Sequence, residues 1–184
     1  MVENNEVEVV NIAASGDINA EIDIEQLAKD SDLSVSNYDP EFNAAFFRFE
    51  EEGELVILYR TGKYILRGGD EFDKMYKVNQ RFLQFLSNKG INVSDLTFEV
   101  KNVVCVGDLQ QDVDLNQLVI FLGLENTEYE PEQFPGLVYR PDYSRCVLLI
   151  FASGKVVITG GRSKEDDRSA FSSLLKKLDE ENIR

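Results

Sequence analysis

The sequence contains no histidine and only two cysteines. Without histidine, a Ser-His-Asp or Cys-His nucleophilic site cannot be built, and the common zinc sites lose one of their usual ligands. Cys105 and Cys146 lie far apart and form no CxxC motif, so we interpret both as small buried hydrophobic residues. We therefore expect no enzymatic activity, no cofactor and no metal ion.

Long apolar runs are missing as well. No stretch approaches the roughly 18 apolar residues that a membrane-spanning helix requires. The segment MVENNEVEVV at the start lacks the basic and apolar regions of a secretory signal, so we expect a cytoplasmic protein. Hydrophobic residues still make up 43% of the chain, which is enough for a packed core.

Basic residues are few, with 19 Lys and Arg against 34 Asp and Glu and a formal charge of −15. DNA repels such a chain at long range. Either its partner is not DNA, or the basic residues gather on one face while acidic residues cover the rest, as in proteins that work at very high salt. In the second case, DNA binding that strengthens with salt becomes a hypothesis.

The chain repeats itself once. VVNIAASGDINAEIDIEQLA, from Val9, matches VKNVVCVGDLQQDVDLNQLV, from Val100, about 91 residues later. ELVILYRTGKYILRGG, from Glu54, matches CVLLIFASGKVVITGG, from Cys146. One duplicated unit therefore accounts for the whole chain, with a predicted first repeat over residues 1–92 and a second over residues 93–184.

Both copies have the same order of predicted elements: a strand, a short helix, three further strands and a longer helix. The strands are predicted at 9–15, 43–49, 54–60 and 63–67, and at 100–107, 136–140, 146–152 and 155–159. The short helices follow Asp23 and Asp114, and the longer ones carry apolar stripes over 72–86 and 171–178. This pattern indicates an α+β sheet that helices cover on one face only.

The strand at 155–159 shows what the uncovered face carries. Strand alternation places Lys155, Val157 and Thr159 on one side, and Val156 and Ile158 on the other, toward the helices. A helix-free sheet face with this much apolar area is not expected to stay exposed. We expect it to bind something large and flat.

Two strings of the second copy, NTEYEPEQFPGLVYR from Asn126 and VLLIFASGKVVITGGRS from Val147, closely resemble the second repeat of the archaeal TATA-box-binding proteins. The duplication extends this resemblance over nearly the whole chain. It implies a saddle, in which two pseudo-symmetric repeats form a curved antiparallel ten-stranded sheet with four helices on the convex face. It also implies a general transcription initiation factor that binds A·T-rich promoter DNA in the minor groove and bends it.

The resemblance implies roles for individual residues. The side chains that wedge between base steps match Phe42, Tyr59, Phe134 and Phe151. The minor-groove contacts match Asn11, Ala13, Ile57, Ile65, Arg67, Asn102, Val104, Leu149, Val157 and Thr159, and the phosphate contacts match Arg48, Lys63, Arg140, Arg145, Lys155 and Arg162. Tyr59 replaces a phenylalanine of the family and Arg67 a threonine, so we predict a weaker or altered kink at that end and unequal reading of the two DNA halves.

The resemblance also implies protein partners. Glu130, Glu132 and Gln133 match the loop that contacts the B-type transcription initiation factor. That factor would connect the chain indirectly to RNA polymerase. Without the resemblance, the two glutamates would be interpreted as part of a solvent-exposed loop. A homodimer of the free protein, formed through the exposed sheet, stays open as an alternative.

The sequence is also compatible with two other functions. A diverged paralogue would bind the B-type factor but DNA poorly, because Tyr59 and Arg67 alter the first half of the face. An enzyme or ligand-binding domain of the same architecture is a weaker hypothesis, because no constellation of catalytic residues supports it. Without the evidence of the repeat, we would interpret Phe134 and Phe151 as core residues and Asn102 as a turn residue.

Overall fold

The structure, a computed structural model, describes residues 6–33, 35–93 and 96–180 of the chain. The chain folds into two compact units. The first unit comprises Asn11–Lys101, and the second comprises Asn102–Arg184 together with the residues up to Val10.

The first unit combines an antiparallel sheet with two helices. Its strands are β1 (Glu8–Asp17), β2 (Val35–Asp39), β3 (Ala44–Arg48), β4 (Leu55–Tyr59) and β5 (Lys63–Gly69), and its helices are α1 (Ile24–Lys29) and α2 (Phe72–Asn88). The strands pair in the order β2-β3-β4-β5-β1. Asp23 caps α1 by accepting the backbone N–H of Gln26, as the sequence predicts.

The second unit repeats this arrangement. Its strands are β6 (Thr97–Asp108), β7 (Thr127–Glu128), β8 (Leu137–Tyr139), β9 (Val147–Ile150) and β10 (Lys155–Gly161), and its helices are α3 (Leu115–Leu122) and α4 (Lys164–Glu180). The order is β6-β10-β9-β8-β7. The Asp114 side chain caps α3 by accepting the N–H groups of Asn116 and Gln117.

In the first unit, α2 covers one face of the sheet. The rings of Phe47 on β3 and Tyr64 on β5 lie 6.2 and 5.0 Å from the ring of Phe82 on α2. The Tyr64 hydroxyl donates to Asn79 Oδ1 at 2.7 Å, so the buried phenol has a partner. Burial raises the pKa of Tyr64 to about 12, which keeps the phenol neutral.

In the second unit, α4 packs equally closely. A Cβ atom placed on Gly107 of β6 would come within 2.7 Å of the Phe171 ring, so only glycine allows this approach. Val103 and Cys105, on the same side of β6, are fully buried, whereas Val104 and Val106, on the opposite side, are half-buried. The predicted covering by helices on one face is therefore present in each unit.

The predicted hairpin turns at Gly62 and Gly154 are also present, with φ of 85° and 80°. Each glycine also lies against backbone, because an added Cβ would approach the carbonyl oxygen of Ala20 to 2.4 Å or that of Gln111 to 2.1 Å. Glycine is therefore required at both turns for two reasons, the left-handed backbone and the close contact.

Two strands differ from the element predictions. The strands β2 and β7 were not predicted from periodicity, because β2 carries polar residues and β7 has only two residues. The helix α4 begins at Lys164 and contains the predicted apolar stripe at 171–178. Its first turn is acidic, which suits the positive end of a helix dipole, and Ser163 and Asp166 bond reciprocally as a capping box.

Candidate nucleic-acid interface

The sheet side of the second unit that faces away from α4 carries a continuous aliphatic row. In register, Val106 on β6 pairs with Val157 on β10, Val157 pairs with Leu149 on β9, and Leu149 pairs with Val138 on β8. All four side chains are half-buried. We call this side of the sheet the second sheet face.

Two phenylalanines stand at the end of the second sheet face. The rings of Phe134 and Phe151 meet edge to face, with centroids 5.8 Å apart, and Phe134 is 36% exposed. A Cβ on Gly136 would lie 2.8 Å from the Phe134 ring and 3.1 Å from the Phe151 ring. Glycine therefore leaves the room that this pair occupies.

A fixed amide lies farther along the same face. Asn102 Nδ2 donates to Thr159 Oγ1 at 3.1 Å, and Asn102 Oδ1 accepts the backbone N–H of Gly160 at 2.8 Å. Both side chains are half-buried, as is that of Val104, which pairs with Thr159. The structure therefore brings together three of the predicted groove residues.

The corresponding face of the first unit has a different composition. Its central row runs from Ser15 on β1 through Ile65 and Ile57 to Phe46 on β3. Ile57 is only 8% exposed, so its neighbours on this side already cover most of the side chain. We call this side of the sheet the first sheet face.

Its aromatic end is looser than that of the second face. Phe42 is 70% exposed and Tyr59 is half-buried. Among the described residues, these two rings form no contact like that of Phe134 with Phe151. Both line a cavity of about 550 Å³, to which Lys63 also contributes.

The middle of the first sheet face carries a cation. Arg67 is exposed and pairs with Ala13 on one side and Leu55 on the other. Its counterpart in the second unit is Thr159, which bonds Asn102. Asn11 is half-buried at the position that corresponds to Asn102.

The predicted phosphate contacts lie near the sheet edges and turns, and several are already paired. Lys155 Nζ lies 2.8 Å from Asp108 Oδ2, and Arg140 Nε lies 3.3 Å from Glu128 Oε1. The Arg48 guanidinium donates to the Gly53 carbonyl oxygen at 2.5 Å. The exposed cations of the set are Lys63, Arg140, Arg145, Lys155 and Arg162, whereas Arg48 is half-buried.

The pair formed by Lys155 and Asp108 has an electrostatic signature. The hydrogen bond from Lys155, followed by that from the Gln110 N–H, lowers the pKa of Asp108 below its ordinary value. The carboxylate therefore stays ionised beside the lysine at the end of β10. A phosphate that binds Lys155 has to compete with this internal anion.

The loop before β8 projects acidic and amide groups into solvent. Glu130, Glu132 and Gln133 are all exposed. The Glu130 carbonyl oxygen accepts the N–H groups of Gln133 and Phe134 at 2.8 and 2.9 Å, which forms a turn just before the aromatic pair. The loop and the aromatic pair are therefore joined by a short, hydrogen-bonded segment.

Some residues of the two faces were missed at the sequence level. Ser15, Phe46, Val106 and Val138 occupy the same rows as predicted groove residues. Strand alternation could have found Phe46 and Val138, since both lie one residue from a fully buried position. Ser15 and Val106 could have been found from Ala13 and Val104, which lie two residues earlier on the same side.

Comparison with known proteins identifies the family. The sequence profile described as "Transcription factor TFIID (or TATA-binding protein, TBP)" matches residues 6–89 and 97–181. The chain belongs to the TATA-binding protein family. TATA-box-binding protein C of Halobacterium salinarum is 46% identical over 177 residues, 95% of this chain and 98% of that protein. The TATA-box-binding protein of Archaeoglobus fulgidus is 37% identical, over 96% and 97% of the two chains.

A solved structure supports the same assignment. Methanococcus jannaschii TBP is 36% identical and has a TM-score of 0.80, with 95% of this chain and 99% of that chain covered. The predicted TBP-like fold, with ten strands and four helices, is thereby confirmed. Within the described part of this TBP-family chain, every helix is too short or too polar to cross a membrane.

Proposed function

We propose that this TBP-family chain is a general transcription initiation factor. In this proposal the two sheet faces bind A·T-rich promoter DNA in the minor groove, bend it and present it to the B-type initiation factor. The observation that carries the proposal is the second sheet face, an aliphatic row on the side of the sheet away from α4 that ends in the pair Phe134 and Phe151. The repeats over 1–92 and 93–184 would each supply one half of this surface.

The aliphatic row suits the floor of a minor groove. A·T and T·A pairs present only acceptors there, whereas G·C adds the guanine N2 amino group. Val104, Val157 and Leu149 cannot hydrogen-bond that amino group, so a G·C pair would lose hydration without a partner. Ala13, Ile57 and Ile65 would act in the same way in the first unit.

The aromatic ends suit base-step wedges. TATA-binding proteins are an established example of minor-groove proteins that insert apolar side chains and kink the duplex. Phe134 and Phe151 would enter one step, and Phe42 and Tyr59 the other. Bending a DNA site costs on the order of 1 to 6 kcal/mol, and burial of the apolar side chains against the DNA would offset this cost.

Polar contacts would fix the register on the DNA. The Asn102 amide and the Thr159 hydroxyl already lie together on the face, and they can donate to A N3 and T O2 acceptors. Asn11 and Arg67 would take this role in the first unit. The phosphate contacts would come from Arg48, Lys63, Arg140, Arg145, Lys155 and Arg162.

The acidic loop is the proposed site for the B-type factor. Glu130, Glu132 and Gln133 are exposed on a turn that leads directly to Phe134, so a protein bound to this loop would lie beside the kinked DNA. RNA polymerase would be reached through that factor. A homodimer of the free protein through its exposed sheet is a further proposed association.

Substituted duplexes test the groove assignment. Inosine lacks the 2-amino group of guanine, so an I·C pair has the minor groove of an A·T pair and the major groove of a G·C pair. Fluorescence anisotropy at high salt should give similar affinity for the A·T-rich and I·C-substituted duplexes and a loss of at least about tenfold for G·C, since each mismatch costs about 1 to 3 kcal/mol. Equal weakening by I·C and G·C would refute minor-groove reading.

A second candidate is a diverged paralogue that binds the B-type factor but DNA poorly. The exposed Arg67 and the hydroxyl of Tyr59 on the first sheet face favour it. In this case, anisotropy on the A·T-rich duplex would show tight binding only after the B-type factor is added. Ile120→Ala is the control variant for the measurement without the factor. Ile120 is 79% exposed but lies on the helix α3 and on neither sheet face, so its truncation should leave the affinity for DNA unchanged.

A further inference from the structure

A carboxylate is fully buried in the second unit, where α4 meets the sheet. Asp167 on α4 is 0% exposed. Its Oδ1 accepts a hydrogen bond from Cys146 Sγ at 3.4 Å, and the thiol of Cys105 and the N–H of Gly161 bond the same carboxylate. Its Oδ2 has no hydrogen-bond partner among the described residues. A buried acceptor without a partner is rare and costly.

The surrounding groups do not neutralise this carboxylate. Asp166, on the same turn of α4, adds a like charge. Lys164, also on α4, acts on the Cys105 thiol, and Arg145, before β9, acts on Asp166. The groups facing Asp167 from β6 and from the residue before β9 are the two thiols, whose pKa values burial raises, so both stay protonated.

The first unit solves the same packing problem differently. The positions that correspond to Cys105, Cys146 and Asp167 are Ala14, Glu54 and Met75. Met75 is 1% exposed, and the buried Glu54 has a cation, with Lys74 Nζ at 3.2 Å from its Oε1. A buried charge without a partner costs far more than a paired one. The second unit therefore keeps an acid in its core without the cation that accompanies the acid of the first unit.

We propose that Asp167 is a proton-dependent latch, which fastens the first turns of α4 to the sheet when its carboxyl is protonated and loosens them when it is ionised. The protonated group is neutral, whereas the ionised group places a charge between two neutral thiols. In the described residues, no cluster of His, Cys, Asp or Glu is arranged to hold a metal ion.

The direction of the pH effect follows from the burial. Burial, followed by the charge of Asp166, raises the pKa of Asp167 to about 6 from its ordinary value of 3.8. Because the folded pKa lies above the unfolded one, the stabilisation by the proton is fully present below about pH 4 and is lost as the pH rises through about 6. The latch therefore loosens toward neutral pH.

The latch has a route to the proposed DNA contacts. Asp166 Oδ2 accepts the N–H of Arg162 at 2.8 Å, so the first turn of α4 holds the backbone of a proposed phosphate contact. This consequence rests on the proposed function, whereas the latch itself does not. Unfolding experiments without DNA test the latch separately.

Asp167→Asn is the main test, since asparagine is a neutral replacement of nearly the same shape. Urea unfolding of the full chain at constant high salt should give similar stabilities for both proteins near pH 4. Above pH 6 the variant should be more stable, with an unfolding constant lower by on the order of a hundredfold, since one pKa unit corresponds to tenfold. A difference that stays constant with pH would overturn the proposal.

Asp166→Asn is the matched control, one residue away on the same helix. Its carboxylate accepts the N–H groups of Arg162 and Ser163, and the first of these bonds is the main cause of its lowered pKa. Loss of this charge should therefore destabilise the chain at neutral pH, the opposite of the result for Asp167→Asn. Stabilisation by both variants would indicate a general effect of net charge and would overturn the latch.

Hydrogen exchange separates a local latch from a general stability effect. At pH 7 the amides in the first two turns of α4 should exchange faster in the wild type than in Asp167→Asn, whereas those of α2 should not differ. Cys146→Ser should move the transition to lower pH, because a hydroxyl donates a stronger hydrogen bond to the ionised carboxylate. Equal exchange in α4 for the wild type and Asp167→Asn would contradict the latch.

Discussion

The two sheet faces share one backbone plan but differ in chemistry at corresponding positions. Where the second face has Phe151, Thr159 and Val106, the first face has Tyr59, Arg67 and Ser15. Tyr59 and Ser15 add hydroxyl groups to the first face, and Arg67 replaces a hydroxyl with a cation, yet the strand order within the unit is the same. Strand pairing and helix packing therefore fix the shape of each half, while the half-buried side chains are free to diverge.

The two faces also differ in how firmly their side chains are held in place. Asn102 is held by Thr159 and by the Gly160 N–H, and Phe134 is held against Phe151. Phe42 extends into solvent on the first face. Side chains that are already ordered lose less entropy on binding, so the second face is better prepared for a rigid partner.

The largest expected effect on DNA affinity distinguishes the aromatic pair of the second sheet face from that of the first. The double variant Phe134→Ala with Phe151→Ala should weaken binding to the A·T-rich duplex by at least about 2 kcal/mol, or ~30-fold, as truncation of central aromatic anchors does. Phe42→Ala with Tyr59→Ala should cost less, because the wild-type tyrosine already brings a desolvation penalty. Anisotropy gives the affinities and end-to-end energy transfer gives the bend. Equal losses would show that the two ends act alike.

A smaller effect is expected when the first face is made to resemble the second. Tyr59→Phe removes a hydroxyl that would lose water between base pairs, a cost of about 1 to 3 kcal/mol when unpaired. The affinity should rise by about tenfold and the bend should increase. Phe151→Tyr is the matched control and should weaken binding by a similar factor. If neither variant changes affinity, the hydroxyl has a partner in the complex.

The smallest effect concerns the ends of β6 and β10. Asp108→Asn removes the ion pair with Lys155, and because the folded pKa of Asp108 is lowered, its contribution is present at neutral pH and lost as the pH falls below about 4. Urea unfolding should show a loss below about 1 kcal/mol at pH 7, since the pair is partly exposed, and a smaller loss at acidic pH. Asp17→Asn is the first-unit control and should change stability less, because no ion pair from Asp17 to Lys63 occurs among the described residues. A larger loss for Asp17→Asn would reverse this comparison.

Much of the fold could be predicted from the sequence, because the repeat supplied two independent copies of each strand and helix. Edge elements could not, since β7 is too short for any alternation to appear. The two faces of β10 also followed from alternation, whereas Phe46 was not predicted although it lies between two buried neighbours. The burial of Asp167 had no sequence signal, because an acid in the first turn of a helix is normally a solvated partner of the helix dipole.

The internal pairs of Lys155 with Asp108 and Arg140 with Glu128 have a consequence for how the complex would exchange ions. A phosphate that takes over one of these cations releases no bound chloride, and it leaves a carboxylate next to the DNA without its partner. A potassium or sodium ion from solution then has to join the complex to restore neutrality. Association would therefore take up cations where ordinary DNA-binding proteins release them, and a concentrated salt solution would supply the ion that completes the complex.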